Sequence, residues 1–267
     1  MKLVALGTLS LALGLAGCSV QDASTEPVTA KADIPTAGLQ HLEFHGTSGE
    51  TKIGVSLDDA VHVKLVLQQE ERRVMGARLA SETTLHDVEG AKVGQDRKGD
   101  VLTLSAAYPS GESHDTDVKV QWTIQVPARF SVDASMKAGR MVIEGVAGGV
   151  KAQLSAGEVT IHVPGGPVWG RMSAGRLHVV SDAAQAGHVV VKSTFGLAVL
   201  SLSGQYYGPP PQKEGFWSSF RFFGNSVSEQ GTGKDDMDLQ ITAGLTDLRV
   251  GPLGDKEERS ELFTDDK

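Results

Sequence analysis

Four side chains in this sequence lie where an 18-residue period would gather them. Glu144 and His162 are 18 positions apart, His178 falls on the diagonal of the next unit, and Glu158 is near. A carboxylate with two imidazoles can hold zinc or move protons. On a solvated strand face such residues are usually plain surface, and the cluster is read that way. His41 and His45 have a spacing that suits a metal on a helix. Leu42 and Phe44 alternate with them, so the segment reads as a strand, where the two imidazoles stand ~13 Å apart, too far for one ion. Ser155 and Ser173 stack without a base beside them and read as corner residues. No Gly-x-Ser-x-Gly elbow, phosphate-binding loop or glycine-aspartate calcium repeat occurs. A polysaccharide-active enzyme on a β-helix would need carboxylates converging from stacked coils. The outward positions here hold isolated acids instead. No catalytic residue, metal ligand or cofactor is assigned, and the chain is expected not to be an enzyme.

The other candidate chemistry is recognition. Residues 205–236 carry Tyr206, Tyr207, Phe216, Trp217, Phe220, Phe222 and Phe223, seven of the chain's fourteen aromatics. Aromatic rings can stack on sugar faces, anchor a protein partner or enter a membrane interface. Long insertions in repeat proteins often bind. The segment can equally fold back over a side or end of the repeat, because exposed aromatics are costly. Both readings stay open. The expected ligand is a glycan or an envelope protein.

The elements that must position these residues follow from glycine spacing. Gly139, Gly157, Gly175, Gly196 and Gly244 are separated by 18, 18, 21 and 48 residues. Before each, positions −7, −5 and −3 are mostly apolar, as in Val132, Ala134, Met136 and Val150, Ala152, Leu154. After each, +2, +4 and +6 are mostly apolar, as in Val159, Ile161, Val163. A period of two on both sides of a glycine predicts two strands with one buried face each. Units this small cannot fold alone, and stacking them at ~4.8 Å pairs every backbone group. The expectation is an all-β chain whose residues 131–251 form a β-solenoid or β-helix-like stack of two-strand repeats, interrupted by the insertion at 205–236. Outward charges alternate in that register, with Arg140, Glu158, Arg176 at +1 and Asp133, Lys151 at −6. Phe195 replaces the alanine before the fourth glycine, so that corner should be distorted. Residues 39–130 also read as strands, as in Val118, Val120, Trp122, Ile124 and Val126, with no competing helical period. They form either a separate sandwich or the first coils.

Composition bounds the partners. The net charge is −8 with pI near 5.5, which argues against a nucleic-acid surface. The single cysteine permits no internal disulfide. Lys2 opens an apolar run to Ala16 that is short for a membrane span, which needs ~20 residues, and fits a secretory signal over residues 1–17. Leu15-Ala16-Gly17-Cys18 resembles the lipobox of bacterial lipoproteins. That resemblance implies cleavage before Cys18, acylation of Cys18 and anchoring in a membrane, with Ser19 favouring the outer one. Stable holding takes two or more acyl chains. Residues 18–38 read as a flexible tether, and the charged stretch 252–267 as a solvated end. The run from Trp122 to Pro127, then Ser131 to Gly139 and the Ser-Ala-Gly repeats, resembles the adhesin-like family of bacterial β-strand-repeat proteins over roughly residues 40–250. The resemblance implies an envelope location and a solenoid-like fold, and it carries over no catalytic residues. The functional expectation is a lipid-anchored, non-catalytic adhesin-like or scaffold module. The alternatives are a polysaccharide-active enzyme or a purely structural spacer.

Overall fold

The computed structural model describes residues 23–24, 26–71, 73–74, 77–78, 82–112, 118–182, 188–203, 218–222, 226–229 and 238–252; side chains are described for 26–69, 86–112, 118–181 and 189–200. The chain is all-β apart from one short helix among the described residues. Its elements are β1 (Ala23–Ser24), β2 (Val28–Pro35), β3 (His41–His45), β4 (Glu50–Val55), β5 (Ala60–Glu71), β6 (Arg73–Val74), β7 (Ala77–Arg78), α1 (Glu82–Gly90), β8 (Lys92–Lys98), β9 (Val101–Ala107) and β10 (Val118–Val126). There follow β11 (Ser131–Glu144), β12 (Val150–Val163), β13 (Val168–Asp182), β14 (His188–Ser203), β15 (Ser218–Phe222), β16 (Ser226–Glu229) and β17 (Asp238–Pro252).

The repeat spacing becomes strand register. β11, β12, β13, β14 and β17 pair in parallel in that order. Gly139 lies opposite Gly157, Gly157 opposite Gly175, and Gly175 opposite Gly196. Each unit is one long strand bent at its glycine, where two separate strands were expected. The bend shows in the burial pattern. Val132, Ala134 and Met136 are buried before Gly139, and Met141 and Ile143 after it, so the inward face changes parity at the corner. A φ of +119° at Gly139 and +127° at Gly157 makes that change, and only glycine adopts it readily. Room is absent as well: a Cβ on Gly157 would sit 1.9 Å from the Gly139 carbonyl oxygen, and one on Gly139 would sit 1.9 Å from that of Gly49. Beyond the corner the second arm faces the first. Gly170 on one arm lies against Leu177 and Ile161 on the other.

The unit preceding β11 in the stack is not its neighbour in sequence. β3 pairs with the first arm of β11, His41 opposite Ser131, and β4 with the second, Glu50 opposite Arg140. Beyond them lie β9 on β3 and β10 on β4, again parallel. The sheet then ends in antiparallel strands: β8 on β9, β5 on β10, and β2 on β5. Phe44, Trp122, Phe130 and the inward residues of β11 to β14 belong to one buried cluster, with Phe44 and Trp122 edge to face at 5.3 Å. Each large aliphatic side chain buried there contributes roughly 1.5–3 kcal/mol.

Several expectations need correction. Gly196 pairs with Thr246, not Gly244, so the last unit is shifted by two residues. A shift of two keeps the alternation, so Leu239, Ile241, Leu248 and Val250 pair with the buried Val189, Val191, Ala198 and Leu200. The Phe195 corner is not distorted: Phe195 pairs in register with Ala174, and Gly196 has φ +118°. That position faces solvent, and Phe195 is half exposed, so a large ring fits without moving the backbone. Part of the expected tether is strand β2, whose Ile34 is buried. Helix α1 was not anticipated. It buries Val88 and Asp87, and the Asp87 carboxylate accepts hydrogen bonds from the Ser110 backbone N–H at 3.0 Å and from the Ser110 hydroxyl.

Candidate functional site

The outer face of the first arms carries two chains of hydroxyl, imidazole and carboxylate. His41 is stacked on Ser131 by the β3–β11 ladder. Its Nδ1 shares a hydrogen bond with the Ser131 hydroxyl, and its Nε2 lies 3.1 Å from an Asp100 carboxylate oxygen. Four residues on, His45 Nδ1 is 2.8 Å from the Ser135 hydroxyl, and its Nε2 is 3.2 Å from Glu43. The Thr103 hydroxyl donates to Glu43 at 3.2 Å. These contacts share the connectivity of a nucleophile, base and orienting acid. They lack what acyl transfer needs around them. Oxyanion stabilisation requires free N–H donors aimed at the reacting carbon's oxygen. The Ser131 N–H donates to the Gln40 carbonyl and the Val132 N–H to that of Gly149, both at 3.0 Å. The His41 and Asp100 side chains are 47% and 51% exposed, so water is not excluded. The arrangement is a polar ladder on a solvated strand face. It was invisible in the sequence because each serine is 90 residues from its histidine, not 18.

The second arms carry the cluster expected from the repeat. Glu144 lies opposite His162, and Thr160 opposite His178, as the spacing predicts. The cluster does not close into one site. Glu158 lies at the corner, 3.8 Å from both Arg140 and Arg176, and serves as the middle of a charge row. His178 is only 6% exposed. Burial lowers its pKa to about 4, with the charges of His162 and Arg176 acting in the same direction, so the ring is neutral at pH 7. Among the described residues its Nε2 has no hydrogen-bond partner. Among the described residues, no group of three or more His, Cys, Asp or Glu is placed to hold a metal ion.

A third charged cluster ends the stack at β2 and β5. His62 Nδ1 is 2.7 Å from Asp33, and Nε2 is 2.8 Å from Asp58. The Asp33 hydrogen bond, then that of Asp58, raises the pKa of His62. Arg129 lies 2.6 Å from Asp59, and its hydrogen bond is the main cause holding that carboxyl below its usual range.

Cys18 and the aromatic residues Tyr206, Tyr207, Phe216, Trp217 and Phe223 lie outside the described residues. Phe220 and Phe222 belong to β15, which pairs antiparallel with β17 and sets them opposite Leu248 and Thr246. β16 pairs with the other arm of β17, Val227 opposite Ile241. Part of the insertion therefore lines the last edge of the sheet.

No protein-family model matches the sequence. No curated protein matches it either. Among solved structures, a candidate cell adhesion protein from Clostridium sporogenes ATCC 15579 is 9% identical, with 85% of this chain and 100% of that chain covered, at a TM-score of 0.43. A candidate adhesin from Bacteroides fragilis NCTC 9343 is 9% identical over 85% of this chain and 97% of that chain, at 0.30. A candidate lipid binding protein from Parabacteroides distasonis ATCC 8503 is 9% identical over 85% and 97%, at 0.22. At these scores the likeness carries neither a fold assignment nor a function for this chain.

Proposed function

We propose that this chain is a non-catalytic interaction module of a bacterial envelope, built as a short β-solenoid that holds its insertion away from a membrane. The strand order carries this reading. β1 and β2 lie at one end of the sheet on β5, and β15 and β16 lie at the other on β17. Nine inter-strand steps separate β2 from β15; at ~4.8 Å each they span about 40 Å. Lipid on Cys18 would sit five residues before β1. β2 and β15 are thus at opposite ends of the strand order, and lipid on Cys18 would put the anchor at the β2 end. Partner contact, with an envelope glycan or protein, is assigned to the aromatic residues of the insertion at the far end. The regular, solvated outer face of the first arms suits a spacer better than an enclosed reaction site.

Two measurements test the reading. An alkyne palmitate analogue fed to expressing cells should label the chain and fail to label Cys18→Ala. Labelling that survives the substitution removes the anchor. Purified peptidoglycan sacculi, and a glycan array, should bind the chain and lose that binding when Tyr206, Tyr207, Phe216 and Trp217, which lie outside the paired strand β15, are replaced together by alanine. Binding unchanged in that variant overturns the assignment of contact to the insertion.

A further inference from the structure

The register cancels charge along most outward rows of the sheet. Lys151 meets Asp133, Glu158 meets Arg140 and Arg176, and His62 meets Asp33. Two cross-strand pairs depart from this rule. Arg171 on β13 lies opposite Lys192 on β14, and Lys31 on β2 lies opposite Lys64 on β5. All four side chains are exposed, and among the described residues none forms an ion pair with a carboxylate. Like charges set directly opposite are destabilising. These cations therefore add nothing to the fold and are open to an anion from outside.

The two pairs differ in what surrounds them. Trp169 holds an outward position two residues before Arg171 on the same strand, ~6.6 Å away, and is partly exposed. Lys151 Nζ stands 5.8 Å from its ring centroid and is occupied by Asp133. The exposed Gln153 lies next to Arg171 on β12, followed by Ser135 on β11 and His45 on β3. From His45 to Lys192 the row crosses five strands, a span of ~19 Å. A hydrogen-bonding side chain at each strand of an open face suits an extended chain, whereas small ligands take enclosed pockets. The row of Lys31 and Lys64 continues through Thr123 and Lys52 without an aromatic side chain.

We infer that the row through Gln153, Arg171 and Lys192 is a seat for an acidic glycan. A sugar carboxylate lies on Arg171 and Lys192, a ring of the same glycan lies against Trp169, and its hydroxyls reach Gln153 and Ser135. A guanidinium fork matches a carboxylate with two parallel hydrogen bonds, and an indole offers an apolar surface to a sugar. Two cations at one end of a neutral polar row match a polymer whose charges are spaced by uncharged sugars better than one charged at every unit. This seat is a second contact of the module, and it rests on neither Cys18 nor the insertion, so each assignment can fail alone.

The test is binding of the full chain to immobilised hyaluronan, a glycan with a carboxylate on every second sugar, read by biolayer interferometry. Its carboxyl-reduced form, which is neutral, and polyphosphate are the comparisons. The native chain should bind hyaluronan more tightly than either. Arg171→Ala with Lys192→Ala should weaken that binding at least about tenfold. Trp169→Ala should weaken it severalfold and leave the weaker binding to polyphosphate unchanged. Lys31→Ala with Lys64→Ala removes the same charge elsewhere and should change it less than about twofold. Both double variants relieve a like-charge contact, so their urea midpoints should equal or exceed the native value. The inference is overturned if hyaluronan does not bind, or if the carboxyl-reduced glycan or polyphosphate binds as tightly. Equal losses in the two double variants, or unchanged binding in Trp169→Ala, overturn it as well.

Discussion

A single atom decides each corner of this molecule. Corner glycines combine a φ near +120° with a neighbouring carbonyl oxygen where a Cβ would stand. Gly157→Ala therefore adds backbone strain of about 1–3 kcal/mol to a clash with backbone that cannot rotate away. Urea denaturation should show a loss of at least ~2 kcal/mol. Gly54→Ala is the control: nothing lies within 4 Å of its Cβ position, and it should change stability little. These glycines were legible in the sequence as a period, because backbone constraint leaves a residue-type mark. The Ser131–His41–Asp100 contact left none, since hydroxyls and imidazoles occur on any solvated strand. A fluorophosphonate probe should not label Ser131, because the adjacent N–H groups are already donated to Gln40 and Gly149. Labelling lost in Ser131→Ala would contradict that. His62 offers a pH test. Asp33 and Asp58 raise its folded pKa above 6.5, so its contribution is complete below 6.5 and is lost as pH rises through the higher folded value. The stability gap between the native chain and His62→Gln should be larger near pH ~5.5 than near pH ~8.5. Equal gaps would refute the coupling.

At the scale of elements, the chain's own period set the register of β11 to β14, and the charges confirm it row by row. Lys151 is 2.5 Å from Asp133 on the adjacent strand, and Glu158 stands between Arg140 and Arg176. These pairs are exposed, so each contributes below about 1 kcal/mol. Glu158→Lys would set three cations in one row. It should cost about 1 kcal/mol by chemical denaturation, and less at ~0.5 M salt, where screening shortens the interaction. A cost independent of salt would point to lost packing instead. The period failed where pairing stopped following sequence order. β3 and β4 continue the stack beneath β11 across 90 residues, with their corner at Gly49 and no Ala-Gly signature. In the last unit Thr246, not Gly244, stands opposite Gly196. Parity survives such a slip while glycine spacing does not, so alternation was the more reliable guide there.

At the scale of the whole molecule, a stack of parallel strands has an inherent hazard: each end presents a row of unpaired backbone groups to any further strand. Both ends here close by reversing direction. β8 and β2 run antiparallel to the strands they cover at one end, and β8 adds exposed Lys92, Asp96, Arg97 and Lys98 along its length. At the other end β15 covers residues 246–250 of β17 and β16 covers 239–242. The insertion thus has a structural task that its aromatic composition did not reveal, because edge pairing depends on backbone groups that every residue carries. Proline removes such a donor and is excluded from a paired position. The double variant Phe220→Pro, Val227→Pro should release both arms of β17. With its edge free, the chain should associate, and its mass by light scattering should rise with concentration above that of the native chain. A variant whose mass stays equal to the native value at every concentration would mean that β17 needs no cover, and that β15 and β16 are held at the end of the sheet for another reason.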